Sequence, residues 1–179
     1  MIRTRVGYAG GTTENPTYHN IGDHSETIQI DYDADKISYQ ELLKVFWESH
    51  SSTVQLWSRQ YRSIVFYHND EQRRLAINSK QNRETETGRK VLTDVTPFSG
   101  FYLAEDYHQK YYLQQVRELM SGLRVIYPDF SDFVDSTVVA RINGFIGGHG
   151  SFESLEEQLN SFGLPPATSS RLLEIARKR

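Results

Sequence analysis

Three groups of residues in this chain carry side chains suited to chemistry. The first is Gly7-Tyr8-Ala9-Gly10-Gly11 followed by Asn15-Pro16-Thr17-Tyr18, where bare backbone brings two phenols close. It lacks the spacing and the Lys-Ser/Thr pair of a phosphate loop, and it does not join a strand to a helix as a dinucleotide fingerprint does. Packed tyrosine rings on a tight turn are the plain alternative. The second group is Gly22-Asp23-His24-Ser25-Glu26, at the entrance to an alternating segment. A half-enclosed Glu26 carboxyl would have a raised pKa, as a proton donor requires, and the plain alternative is a solvated glutamate at a strand edge. His24 offers a metal ligand, but the His residues, at 19, 24, 50, 68, 108 and 149, show no paired spacing on one helix face. No metal is expected. The third group is Arg59-Gln60-Tyr61-Arg62-Ser63, with Phe101-Tyr102-Leu103-Ala104-Glu105-Asp106-Tyr107-His108-Gln109-Lys110 as its counterpart. Tyrosines at such junctions can aim O–H groups into a cleft while their rings surround apolar groups. The combination suits a small ligand with a neutral oxygen and an apolar part.

Composition narrows the field. The 179 residues hold 20 basic and 23 acidic side chains, a formal charge of −3. With no basic run to neutralise phosphates, nucleic acid is not an expected partner. The chain has no Cys, so these residues supply no disulfide, no thiolate ligand and no thiol nucleophile. No stretch approaches the roughly 18 consecutive apolar residues of a membrane helix, so no membrane association is expected. Met1 to Val6 carries positive charge with no apolar run behind it, so a secretory signal is not expected and a cytoplasmic location is.

The elements that must position these groups follow from periodicity. The glycine-rich stretch Val6 to Asp23 reads as a long ordered loop. Thr27 to Asp33 alternates, with Ile28, Ile30 and Tyr32 on one side, which predicts a strand buried on one face. Ser38 and Glu41 form a capping box for a helix to about His50, with Leu42, Val45 and Phe46 on one face, Leu43 beside it and Trp47 in the core. Ser63 to Tyr67 predicts a central strand covered on both faces. Asn69 or Asp70 caps a surface helix to about Thr85 with Leu75 and Ile77 as its few apolar positions, and Lys90 to Val95 reads as a further strand. Ala104 to Met120 reads as one helix that packs Tyr107, Tyr111, Tyr112 and Leu113. After Met120 two short helices are expected. One starts at Ser151, buries Leu155, Leu159 and Phe162 and stops at Gly163; the other ends in a solvated Arg177-Lys178-Arg179. The order is that of an α+β or α/β domain over residues 1–120 with a helical extension over 121–179.

In this order GYAGG…NPTY, GDHSE, FW, QYRS with IVFYHNDEQ, and FYLAEDYHQKYY resemble peptide methionine sulfoxide reductases of the A type over about Arg3 to Leu113. The resemblance implies an α+β, ferredoxin-like split βαβ mixed sheet flanked by helices. In that family a cysteine in a Gly-Cys-Phe-Trp-Gly segment attacks the sulfoxide sulfur of the S epimer while the oxygen is protonated. Carried over by motif, Glu26 is the proton donor and Tyr18 and Tyr61 are the phenols that bond to the oxygen. Tyr8, Gly10, His24, Phe101 and Tyr102 are then substrate-pocket residues. No bound cofactor is implied; thioredoxin or a small thiol is the external reductant, and oxidised methionine, free or in proteins, is the substrate. Two departures stand out: the Cys-bearing segment, with the first strand and helix, is not among these residues, a gap of roughly 20 residues, and Val54-Gln55-Leu56-Trp57-Ser58 lacks the family's usual Asp.

Three readings follow. The chain is part of a longer reductase whose nucleophile, Cys or selenocysteine, lies upstream; or it is an inactive paralogue that binds oxidised methionine without turnover; or its C-terminal extension has an interaction role with the older domain as scaffold.

Overall fold

The computed structural model describes residues 1–54 and 58–178; Trp57 and most of the 54–58 segment, like Arg179, lie outside them. The chain divides into two compact units: Val6–Ile28 with Tyr32–Ala104, and Met1–Arg5 with Gln29–Asp31 and Glu105–Arg179.

The first strand, β1 (Arg3–Ala9), occupies the start of what reads in sequence as loop. It is paired with strands on both sides, one of them some 95 residues on, and local pattern does not reveal such pairing. β2 is Ser25–Asp31, α1 is Tyr39–Glu48, β3 is Ile64–Tyr67, α2 is Asp70–Thr87, β4 is Asp94–Pro97 and β5 is Phe101–Leu103. One sheet has the order β2-β1-β5 and the other pairs β3 with β4. β1 and β5 are antiparallel, with Gly7 opposite Leu103, Tyr8 opposite Tyr102 and Ala9 opposite Phe101. β3 and β4 are parallel and therefore need a crossover, which α2 supplies.

The α1 cap forms as expected: Ser38 Oγ accepts from the Glu41 N–H at 3.2 Å and the Glu41 carboxylate accepts from the Ser38 N–H at 2.7 Å. The helix buries Leu43 and Trp47, which pack with Val65, Ala76 and Val91. On the expected face Val45 is 59% exposed, while Leu42 and Phe46 are half-buried and Phe46 packs against that cluster. Asn69 caps α2 by accepting from the Gln72 N–H at 2.9 Å, and Gly88 ends it in the left-handed region. Three expectations need correction. Ile28 is 57% exposed, so the alternation in β2 does not mark a buried apolar face; the strand buries Ser25 instead. Among the described residues β3 pairs with β4 alone, buries only Val65 and is not the central strand expected. The strand expected from Lys90 starts at Asp94, although Val91 and Thr93 are buried.

In the other unit the helical run expected over Ala104 to Met120 is broken. A 3₁₀ turn at Asp106–His108 and α3 (Tyr111–Gln114) are separated by Lys110, whose φ of 49° no helix accommodates. α4 (Arg117–Ile126) runs unbroken past residue 120. Tyr107, Tyr111 and Tyr112 are about half exposed, and Leu113 is the buried member of that group. α5 (Phe130–Asp135) and α6 (Thr137–Ile146) were not apparent in the sequence. α7 (Phe152–Leu159) starts at the Ser151 cap, and α8 (Pro166–Ala176) follows Gly163, which is left-handed at φ 62°. Leu113, Leu119, Leu123, Phe133, Ile142, Ile146, Leu155 and Leu172 share one core. No helix among the described residues is long and apolar enough to cross a membrane.

Lys110 itself is buried, and its ammonium donates to the Thr4 carbonyl and to Thr4 Oγ1. Burial pushes its pKa down to about 8, with Asp135 opposing and Arg5 adding to the shift. Because the unfolded chain keeps this proton to about pH 10.4, unfolding takes up protons between about pH 8 and 10, and the folded state gains stability as pH rises through that window. Urea midpoints at pH 7.5 and 9.5 should show that rise, and Lys110→Met should remove it.

Candidate functional site

The glycine-rich segment turns back at the end of β1. Gly10 has φ 79°, and a Cβ there would approach the Phe66 ring to 2.7 Å, so only glycine fits. The next residues are tied to the entrance of β2 by Asp23 and His24. Both Asp23 carboxylate oxygens accept from the Thr12 N–H, at 2.8 and 2.9 Å, and Oδ1 also accepts from the Thr13 N–H at 3.0 Å. The Thr12 and Thr13 hydroxyls add bonds of 3.0 and 2.9 Å. His24, 2% exposed, accepts the Gly11 N–H on Nδ1 at 3.1 Å, so Nε2 carries the hydrogen and donates to the Thr13 carbonyl at 2.8 Å. Its ring stands edge-on to Tyr102, 5.4 Å between centroids.

The Thr12 and Thr13 N–H groups and hydroxyls hold the Asp23 carboxyl well below the usual carboxylate range. A depressed folded-state pKa contributes stability that is full above about pH 4 and is lost as pH falls toward the folded value. The stability of Asp23→Asn should therefore fall less steeply between pH 4 and pH 2 than that of the wild type. Thermal midpoints across that range measure the difference.

A second tie joins the 3₁₀ turn Arg59–Tyr61 to β2. Ser25, 1% exposed, donates its hydroxyl to the Arg59 carbonyl at 2.9 Å and accepts from Arg62 Nε at 2.8 Å. Arg62 Nη2 continues to the Gly10 carbonyl at 3.3 Å. One guanidinium thus braces the glycine turn, β2 and the 59–61 turn together. On that frame Gln60 Nε2 donates to Glu26 Oε1 at 2.6 Å. Tyr61 next to it is hydrogen-bonded to the Tyr18 phenol, and that bond, with a smaller repulsion from Glu26, raises its pKa above the usual phenol range.

The structure therefore brings Tyr18, Glu26 and Tyr61 together. It corrects the picture of their surroundings: Glu26 is exposed, not half enclosed, because it begins β2 on the face opposite buried Ser25. Of the expected pocket residues, Tyr8 and His24 are each 2% exposed, while Gly10, Phe101 and Tyr102 are half-buried. Sequence reasoning quoted Asp23, Ser25, Gln60 and Arg62 inside its motifs without giving them roles. Their signal was polarity at positions flanking the named phenols and carboxyl. A separate furrow of about 400 Å³ lies between α1 and α2, lined by Gln40, Lys44, Trp47, Asn82 and Arg83, and none of the expected site residues faces it. Among the described residues no group of three or more His, Cys, Asp and Glu could hold a metal ion.

A family model described as peptide methionine sulfoxide reductase matches residues 1–134. A peptide methionine sulfoxide reductase of Drosophila melanogaster is 39% identical, the match covering 93% of this chain and 67% of that protein. The peptide methionine sulfoxide reductase MsrA of Methanothermobacter thermautotrophicus is 40% identical over 70% of this chain and 81% of its own. The crystal structure of Mxr1 from Saccharomyces cerevisiae in reduced form superposes with a TM-score of 0.56 at 28% identity, covering 64% of this chain and 71% of that one. The α+β architecture is shared with that structure, and the chain belongs to the peptide methionine sulfoxide reductase family.

Proposed function

We propose that these residues supply the oxygen-binding half of a methionine sulfoxide reductase site, with Tyr18 and Tyr61 as hydrogen-bond donors to the sulfoxide oxygen and Glu26 as the proton donor. The observation that carries this is the convergence of two phenols and one carboxyl, with the turn that bears Tyr61 tied to β2 beside Glu26 by Ser25 and Arg62. Sulfoxide oxygen is a poor leaving group, so it must be protonated as sulfur is attacked. A neutral phenol is the right partner for it, and Tyr61 keeps its proton because Tyr18 and Glu26 disfavour the phenolate. Bound substrate would replace the Tyr18–Tyr61 bond with two bonds to its own oxygen, each phenol donating.

These 179 residues contain no cysteine, so a thiol nucleophile for this reaction would have to be supplied from outside them. A thiol attacks sulfur, the S–O bond breaks, and the products are a sulfenic acid and methionine. Two further thiols then return the sulfenic acid to thiol, releasing water and a disulfide. Thioredoxin or a small thiol would be that reductant, and oxidised methionine in proteins or free would be the substrate. The inactive-paralogue reading is not favoured by the relatives, which are named as reductases.

Titration of the chain with methionine S-sulfoxide, followed by backbone amide shifts, tests the assignment. Weak saturable shifts at residues 17–27 and 59–62 are expected with the sulfoxide and not with methionine. They should be lost when both Tyr18→Phe and Tyr61→Phe are introduced. Equal shifts with methionine would show that the surface does not read the oxygen.

A further inference from the structure

We propose that Gln60 is a positioning residue which determines the oxygen of Glu26 that carries the transferable proton. This rests on the reading of Glu26 as proton donor. The Gln60 Nε2–H donates to Glu26 Oε1 at 2.6 Å, short for an N–H to oxygen bond. An amide N–H bonds well to a carboxylate oxygen or to the carbonyl oxygen of a carboxylic acid, and poorly to the hydroxyl oxygen of that acid. With Oε1 occupied in this way, a proton taken up by Glu26 sits on Oε2. The acid is then held in one orientation, with its O–H on the oxygen that Gln60 does not touch.

The position of Gln60 is itself specified. It is the middle residue of the 3₁₀ turn Arg59–Tyr61, and that turn is pinned to β2 one residue before Glu26. The pins are Ser25 Oγ to the Arg59 carbonyl at 2.9 Å and Arg62 Nε to Ser25 Oγ at 2.8 Å. These bonds hold the backbone on both sides of Gln60 against the backbone beside Glu26, so the amide has little freedom to leave. Tyr61, the next residue, is bonded to Tyr18. The same turn thus delivers a phenol to one side of the site and the orienting amide to the carboxyl. An exposed glutamate would otherwise sample several rotamers and place its proton on either oxygen.

The test uses dimethyl sulfoxide, which is uncharged at every pH, so that any pH dependence of its binding belongs to the protein. Affinity is read from amide shifts of the full chain at pH 7.5 and at pH 3.5 to 4.5. In the wild type, binding should tighten several-fold at the acidic pH, as protonated Glu26 adds a donor to those of Tyr18 and Tyr61. In Gln60→Leu the tightening from pH 7.5 to the acidic pH should fall to less than half that of the wild type, because the proton is no longer placed. In Glu26→Gln the gain should be absent, and adding Gln60→Leu to it should change nothing further. A Gln60→Leu curve that coincides with the wild type would overturn the proposal while leaving the sulfoxide site intact. So would an equal loss at both pH values, the mark of a merely structural role. No binding by the wild type at either pH would overturn the sulfoxide site itself, and the role of Gln60 with it.

Discussion

Arg62→Met should lower stability by about 2 kcal/mol and the melting temperature by about 4–8 °C, an unusually large effect for a half-buried polar residue. Three observations set that expectation. Arg62 Nε is the donor to Ser25 Oγ, and Ser25 is 1% exposed, so its oxygen cannot turn to water when the guanidinium is removed. Nη2 also reaches the Gly10 carbonyl, at a residue whose left-handed backbone leaves it few alternatives. Methionine keeps most of the aliphatic stem, so the loss reports the hydrogen bonds and not a cavity. Because Arg62 directly follows the Arg59–Tyr61 turn and its guanidinium donates to Ser25 and Gly10 in two other segments, it holds the turn that presents Tyr61. Sulfoxide binding should weaken together with stability. A melting temperature within 1–2 °C of the wild type, measured by calorimetry or circular dichroism, would show that the brace is dispensable.

The second large effect concerns the chemistry. Once a nucleophile is supplied by placing the family's Gly-Cys-Phe-Trp-Gly segment ahead of the chain, Glu26→Gln should reduce kcat by about 10² to 10⁴, the usual worth of a positioned proton donor. The amide preserves shape and can still donate a hydrogen bond, but it cannot give up a proton as the S–O bond breaks. KM should change little, since Tyr18 and Tyr61 still hold the oxygen. Tyr61→Phe should cost on the order of 10² in kcat, as for loss of one preorganised donor to a developing oxyanion. Tyr61 is held protonated by its bond with Tyr18 and by Glu26. Its O–H should therefore serve unchanged through neutral pH, and the rate profile there should carry no phenol ionisation. Steady-state kinetics of the two variants separate the roles: proton transfer for the carboxyl, oxygen binding for the phenol.

Much of the site was legible because its chemistry sits in three short segments of unusual composition. Glu26, Tyr18 and Tyr61 were named from motif and order, and they converge in the structure. What local pattern could not show is what holds them there. Asp23 accepts from Thr12 and Thr13, and Arg62 reaches Gly10 across 52 positions of sequence, and neither interaction follows any period. The same physics explains the fold. The Ser38–Glu41 box and the Asn69 cap are set within a few residues and form as read, whereas the helix from Ser151 ends at Leu159 and Gly163 closes the 3₁₀ turn Asn160–Phe162 that follows it. β1 depends on pairing of Gly7, Tyr8 and Ala9 with Phe101 to Leu103, and so looked like loop. The alternation in β2 misled because Ile28 is exposed and the buried positions are Ser25 and, just ahead of it, His24. The run over 104–120 is rich in helix-forming residues, yet Lys110 takes a left-handed conformation to bury its ammonium against Thr4, and the helix breaks there.

The most direct measurement is an NADPH-coupled thioredoxin assay with methionine S-sulfoxide, run on the 179-residue chain and on the chain carrying the Gly-Cys-Phe-Trp-Gly segment. Turnover only with the segment, selective for the S epimer and abolished by Glu26→Gln, is the expected result. Turnover by the 179 residues alone, or none by a folded chain with the segment, would contradict the assignment of these residues as the oxygen-binding half of a reductase site.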